Sequence, residues 1–174
     1  MVVVDPVLGD HGSLFPIFDD SYVMEMKKLV SMADLITPNI TEANLLLGLN
    51  PNQFGYNDSD LKNICRNLSK LGPGLVIITG FLIDGYIYNI SYDAHTDTMV
   101  KFGKPYNKMS FSGTGDIFTS IVAALITRDF DIGDTCQIAT DFIFDAVKYT
   151  SSLDGIERND GIMFEEFLGK LCQL

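Results

Sequence analysis

A chain of 174 residues, 47% of them hydrophobic, is long enough for one domain with a sizeable core. Its net charge of −11 argues against partners such as a nucleic-acid backbone or an anionic membrane surface, and no apolar run reaches membrane-spanning length. The three cysteines, Cys65, Cys136 and Cys172, lie far apart, with neither the even count of a disulfide framework nor metal-ligand spacing, and read as reduced thiols of a cytoplasmic protein.

Met1-Val2-Val3-Val4 is too short for a signal-peptide core and reads as a buried parallel strand running into Asp5-Pro6-Val7-Leu8-Gly9-Asp10. Residues 9–15 then form a punctuated loop suited to a flap. A helix over about 21–32 is predicted to turn Val23, Met26, Leu29 and Val30 inward. Residues 34–37 form a second strand stopped by Pro38, and Asn39 and Thr41-Glu42 open a helix carrying Leu45, Leu46 and Leu47. A third helix, about 59–71, puts Leu61, Ile64, Cys65, Leu68 and Leu71 on one face and stops at Gly72-Pro73. Leu75-Val76-Ile77-Ile78 is the third buried strand, ending at Thr79-Gly80. From 84 to 102 the period shortens to two, the mark of an antiparallel hairpin. A long helix over about 134–151 and a final amphipathic helix with Phe164, Phe167, Leu168 and Leu171 complete the chain.

Between hairpin and long helix lies Ser110-Phe111-Ser112-Gly113-Thr114-Gly115-Asp116, a small-residue turn opening onto a helix with Ile117, Phe118, Ile121, Val122, Leu125 and Ile126 on one face. Glycines let such a turn approach a ligand closely, and the unpaired amides of a helix start attract anions. Ser, Thr and Asp before a helix are also ordinary capping residues, so the turn alone decides nothing. Alternating strands and helices imply an α/β three-layer fold in one domain, residues 1–174, with a mostly parallel central sheet. An apolar strand at the first residues would be left as an open edge, so further N-terminal strands are expected to be missing from this chain. In a parallel sheet the strand ends share one rim, which gathers Asp5 and Asp10, Thr37, Asn39 and Glu42, Thr79 and Gly80, and the turn at 113–116.

The order Asp-Pro-Val-x-Gly-Asp, Thr-Pro-Asn-x-x-Glu, Thr-Gly after an apolar strand, then Gly-Thr-Gly-Asp resembles the ribokinase-like small-molecule kinases, and more narrowly the vitamin B6 (pyridoxal, pyridoxine and pyridoxamine) kinases. The resemblance covers nearly all of the chain and corresponds to about the C-terminal three-fifths of such an enzyme. It implies transfer of the ATP γ-phosphate to a primary hydroxyl of a B6 vitamer. Asp116 matches the catalytic base, which takes the hydroxyl proton. Gly113, Thr114 and Gly115 match the amides that meet the charge on the transferred group. Asp10, Glu42 and Asp5 would act on Mg²⁺, directly or through water. Asp10, Thr37 and Asn39 would line the ATP phosphate region, with Thr79 and Gly80 on the phosphates. Phe111 reads either as a wall of the nucleotide pocket or as core, and Glu42 and Thr41 also read as helix caps. Lys104 and Lys108 read as aids to ATP binding or as solvated surface, and His11 and His95 as surface residues. The resemblance also implies a homodimer for the complete enzyme and, in many relatives, a K⁺ ion whose position the motifs do not fix. Hydroxymethylpyrimidine and phosphomethylpyrimidine kinases share Asp-Pro-Val and Thr-Pro-Asn but commonly carry cysteine where Asp116 stands. A non-catalytic nucleotide-binding fragment is the third reading, since much of the substrate pocket belongs to the absent part.

Overall fold

The computed structural model describes residues 1–173. In chain order it runs β1 (Val3–Val4), a small hairpin of β2 (Gly9–Asp10) and β3 (Ser13–Leu14), α1 (Asp20–Val30), β4 (Leu35–Ile36), α2 (Ile40–Leu47) and α3 (Asp58–Ser69). There follow β5 (Leu75–Ile83), β6 (Tyr86–Asp93), β7 (Thr98–Pro105), α4 (Thr114–Ile126), α5 (Ile132–Thr150) and the single turn α6 (Leu168–Leu171). The main sheet has the order β1-β4-β5-β6-β7. Its first three strands are parallel, in register through Val3, Leu35 and Leu75 and through Val4, Ile36 and Val76. β6 and β7 extend it as the expected antiparallel hairpin.

The pleat explains why these strands are apolar throughout. Alternate side chains point to opposite faces. Val4, Ile36, Val76 and Ile78 join the core formed with α1, α2 and α3, while Leu35 and Ile77 pack with Phe118, Ile121, Val122 and Leu125 of α4 and Phe142 of α5. Helices on both faces make the three layers, and the strand ends beside α2 and α4 form the rim that carries the site. No helix of the described residues is long and apolar enough to cross a membrane.

Several expectations need correction. Residues 9–15 are a docked hairpin rather than an open loop: a side chain at Gly9 would collide with the Ser13 carbonyl, and the Gly12 amide donates to Thr41 Oγ1 at 3.0 Å. β5 does not end at Thr79-Gly80. Parallel pairing with β4 ends at Val76 and an isolated bridge joins Thr79 to Asn39, but the strand bulges at Gly80, whose φ is +68°, and continues against β6 to Ile83. Leu29 of α1 lies exposed, since the inward stripe is Val23, Met26 and Val30. The final amphipathic helix is a 3₁₀ turn, Glu165–Phe167, followed by α6. Its Phe164 and Phe167 nevertheless pack against the α5 core as expected.

Candidate active site

Gly113 adopts φ +81° and serves as the N-cap of α4 without a side chain to cap it. That conformation suits glycine, and it releases the amides that follow toward solvent. The first backbone bond across the helix start is Ile117 N–H to Gly113 O, at 3.1 Å. Among the described residues, the amides of Thr114, Gly115 and Asp116 have no protein acceptor. The turn is held from behind: Thr114 Oγ1 donates to the Phe111 carbonyl at 3.2 Å, and Ser112 N–H to the Arg158 carbonyl at 2.9 Å. Asp116 is exposed at the third helical position.

The end of β1 meets this turn. A Cβ on Gly115 would stand 3.9 Å from Asp5 Oδ2. The Asp5 carboxyl is raised to about 6, chiefly by burial and then by the charge of Asp116, while the Thr119 and Thr37 hydroxyls oppose the shift. Thr37 is buried at the end of β4, and its Oγ1 lies 2.8 Å from Thr119 Oγ1 one turn into α4.

The Thr-Pro-Asn-x-x-Glu stretch folds as a reciprocal cap. Asn39 Oδ1 accepts from Glu42 N–H at 3.0 Å, and Glu42 Oε2 accepts from Asn39 N–H at 2.9 Å. Both residues also reach beyond the cap. Glu42 Oε1 accepts from Leu8 N–H at 3.1 Å, and Asn39 Nδ2 donates to the Gly9 carbonyl at 2.9 Å. Burial raises Glu42 to about 8, outweighing the two amide bonds that favour its anion; the nearby charge of Asp5 adds to the rise. Capping and site readings of Glu42 therefore describe one residue in two roles.

Asp10 sits apart from this buried pair on the hairpin, where Oδ1 accepts from His11 N–H at 2.7 Å and Oδ2 lies 3.4 Å from His11 Nε2. Among the described residues no three acidic, histidine or cysteine side chains converge closely enough to hold a bare ion. The hard carboxylate oxygens of Asp5 and Asp10 fit a hydrated Mg²⁺, which keeps several of its waters and needs only one or two protein ligands, whereas Glu42, with both oxygens engaged by backbone amides, could meet such an ion only through its waters.

Thr79 lies beside Asn39 in an isolated parallel bridge and donates its N–H to the Pro38 carbonyl at 2.9 Å. Gly80 N–H donates to Asn89 Oδ1 at 3.0 Å, and Asn89 Nδ2 donates to Thr140 Oγ1 at 2.9 Å. Phe111 is not a pocket wall. Its ring is buried with Ala146 and Ile162, because the turn needs an apolar anchor in the core beneath it. Lys104 is engaged in an ion pair with Asp141. His11 and His95 are exposed as expected. Sequence reasoning did not single out Thr119, Asn89 or Thr140. Each is polar within an otherwise apolar-periodic element, the one signal that marked them.

Parallel strands flanked by helices, with a glycine turn opening a helix at the rim, form the architecture of the ribokinase-like kinases. The sequence pattern of the phosphomethylpyrimidine kinase family matches residues 1–160, and the chain belongs to that family. A hydroxymethylpyrimidine/phosphomethylpyrimidine kinase of Aquifex aeolicus is 29% identical over 153 residues, covering 87% of this chain and 58% of that protein. A Bacteroides thetaiotaomicron protein assigned as a phosphomethylpyrimidine kinase superposes over 99% of this chain and 59% of its own with TM-score 0.94 and 34% identity. A second crystal form of it was obtained with pyridoxal. Pyridoxal kinase of Lactobacillus plantarum superposes with TM-score 0.88 at 29% identity, over 98% of this chain and 60% of that one. The chain thus spans under two thirds of the length of these relatives.

Proposed function

We propose that this chain carries the nucleotide site and general base of an ATP-dependent kinase that phosphorylates a primary hydroxyl of a B6 vitamer. The observation that carries this reading is the meeting of Asp116 and Asp5 at the start of α4, beside amides with no protein acceptor. An exposed carboxylate is free to accept the proton of an incoming hydroxyl, which makes the oxygen nucleophilic as it attacks phosphorus. The amides of Thr114 and Gly115, with that of Gly113 at the cap, are placed to donate to the equatorial oxygens of the transferred group. Thr37, Asn39, Thr79 and Gly80 line the same rim and would meet the ATP phosphates. Asp5, Asp10 and Glu42 would hold Mg²⁺ through its waters, and the ion supplies charge neutralisation between the phosphates. The Gly9–Phe15 hairpin, tethered to Asn39 and Thr41, would exclude water during transfer. The buried thiols of Cys65 and Cys136, raised to about 12 by burial, suit a reducing cytoplasm.

The aspartate at 116 and the pyridoxal crystal form of the Bacteroides relative support a B6 vitamer as acceptor. The family match and the Aquifex relative support a hydroxymethylpyrimidine as the alternative. Product formation from ATP with pyridoxal, pyridoxamine and hydroxymethylpyrimidine, measured side by side, decides between them. Faster turnover of the pyridine aldehyde or amine is expected, and faster turnover of the pyrimidine would replace this reading. Nucleotide binding without transfer to any of the three would reduce the chain to its ATP site.

A further inference from the structure

We infer that Thr119 is a positioning residue: its hydroxyl ties the start of α4 to the end of β4 and so sets where Asp116 stands. The inference rests on the kinase reading of this site. Thr119 follows Asp116 by three residues, so the two share a side of α4 one turn apart. Its Oγ1 lies 2.8 Å from Thr37 Oγ1, a bond between residues 82 apart in sequence. The end of β1 lies beside the same helix start, where a Cβ on Gly115 would stand 3.9 Å from Asp5 Oδ2.

Hydrogen counting shows why the pair acts as a unit. Two hydroxyls carry one hydrogen each. One hydrogen is used in the bond between them, whichever hydroxyl donates it, leaving the other for a neighbouring acceptor. The bond between the hydroxyls joins two elements distant in sequence at one point. Among the described residues, no other side-chain hydrogen bond holds this turn from the front. Gly113 offers no side-chain cap, and Thr114 and Ser112 tie it only to residues behind it. The α4 helix is otherwise seated by apolar packing of Phe118, Ile121 and Val122, which holds it against the sheet but supplies no directional bond at its N-terminal end. A displacement of an ångström at a reacting group costs on the order of a hundredfold in rate.

Thr119→Val keeps the β-branched shape and removes only the hydroxyl; Thr119→Ser restores it, and Thr119→Ala serves should valine pack badly. In the full chain with ATP and its best acceptor, Thr119→Val and Thr119→Ala are expected to lower kcat about tenfold or more. KM for ATP should stay within about twofold, and Thr119→Ser should recover most of the rate. A serine variant as impaired as valine, or a valine variant with unchanged kcat, overturns the assignment. If the unaltered chain transfers phosphate to no acceptor, the kinase reading has failed, and amide exchange at Ile117 and Phe118 tests the tie by itself. Exchange about tenfold faster in Thr119→Val than in both the unaltered chain and Thr119→Ser supports it. Equal exchange in all three overturns it.

Discussion

Asp116 and Glu42 are both carboxylates at the third position of a helix, yet their surroundings assign them opposite behaviour. Asp116 is exposed beside amides without acceptors, whereas Glu42 is buried with both oxygens engaged by Leu8 and Asn39. Replacing Asp116 by Asn removes the proton acceptor at constant size. A fall in kcat of about 10²–10⁴-fold with little change in KM for ATP is expected, the usual worth of a general base. Steady-state kinetics at saturating acceptor reads it, and an unchanged rate would move the base elsewhere. Glu42 makes a prediction about stability. Its folded pKa of about 8 lies above the ordinary 4.5, so between those values the folded chain keeps a proton that the unfolded chain has released. Stability is therefore fully present at low pH and declines as pH rises through this window, with Asp5 adding the same sign up to about 6. Urea unfolding at pH 5 and pH 8 should differ by at least about 1.4 kcal/mol, the worth of one pKa unit. Glu42→Gln should be weaker throughout, because one carbonyl oxygen cannot serve two amides, but its stability should vary less with pH. Parallel pH profiles for the two proteins would refute the role given to burial.

At the scale of elements, the parallel strands and helices were legible because apolar runs and helical periods report burial directly. β1, β4 and the start of β5 follow from Val3-Val4, Leu35-Ile36 and Leu75 to Ile78, and α3 from Leu61, Ile64, Cys65 and Leu68. The sequence did not announce the bulge at Gly80, because a glycine after a strand reads as a stop whether the chain turns away or continues in a new pairing. Nor did it show the β2–β3 hairpin, since Gly9-Asp10-His11-Gly12 holds no alternation and the hairpin is fixed by contacts with α2. The four motifs located the rim, but Phe111 shows the limit: one aromatic beside a glycine turn serves equally as pocket wall or anchor, and only packing decides. The Thr37–Thr119 pair was invisible for a related reason, as a hydroxyl within an apolar helix face carries no mark of its partner 82 residues away. The hairpin's dependence on Gly9 is testable. A side chain there meets the backbone of Ser13 and Leu14, which has little room to yield. Gly9→Ala should free the hairpin, seen as faster amide exchange at Gly12 and Phe15, with the exchange of α3 unaltered. Unchanged protection at both positions would show that the hairpin shifts to accommodate a methyl group.

On the kinase reading the whole molecule poses an electrostatic problem, because a chain of net charge −11 would have to hold a polyanionic nucleotide. Its cations do little to help from a distance. Lys101 is paired with Asp58, Lys104 with Asp141, and Lys62 and Arg66 with Asp97. The attraction would be left to short-range donors, the amides at the start of α4, while the far field repels. Short contacts inside a site are screened little by salt, but repulsion between separated charges is screened strongly, the Debye length falling from about 30 Å at 0.01 M to about 10 Å at 0.1 M. Nucleotide affinity without Mg²⁺ should therefore rise as ionic strength increases over that range, opposite to the behaviour of a basic site. Tetramethylammonium chloride is the salt of choice, because its cation is too large to act as a specific K⁺ ligand. With Mg²⁺ present the nucleotide is largely neutralised before it arrives, and the dependence should flatten. Calorimetric titration with ATP, with and without Mg²⁺, measures both slopes. An affinity that falls with added salt in both series would mean that fixed cations, rather than backbone amides, dominate this site.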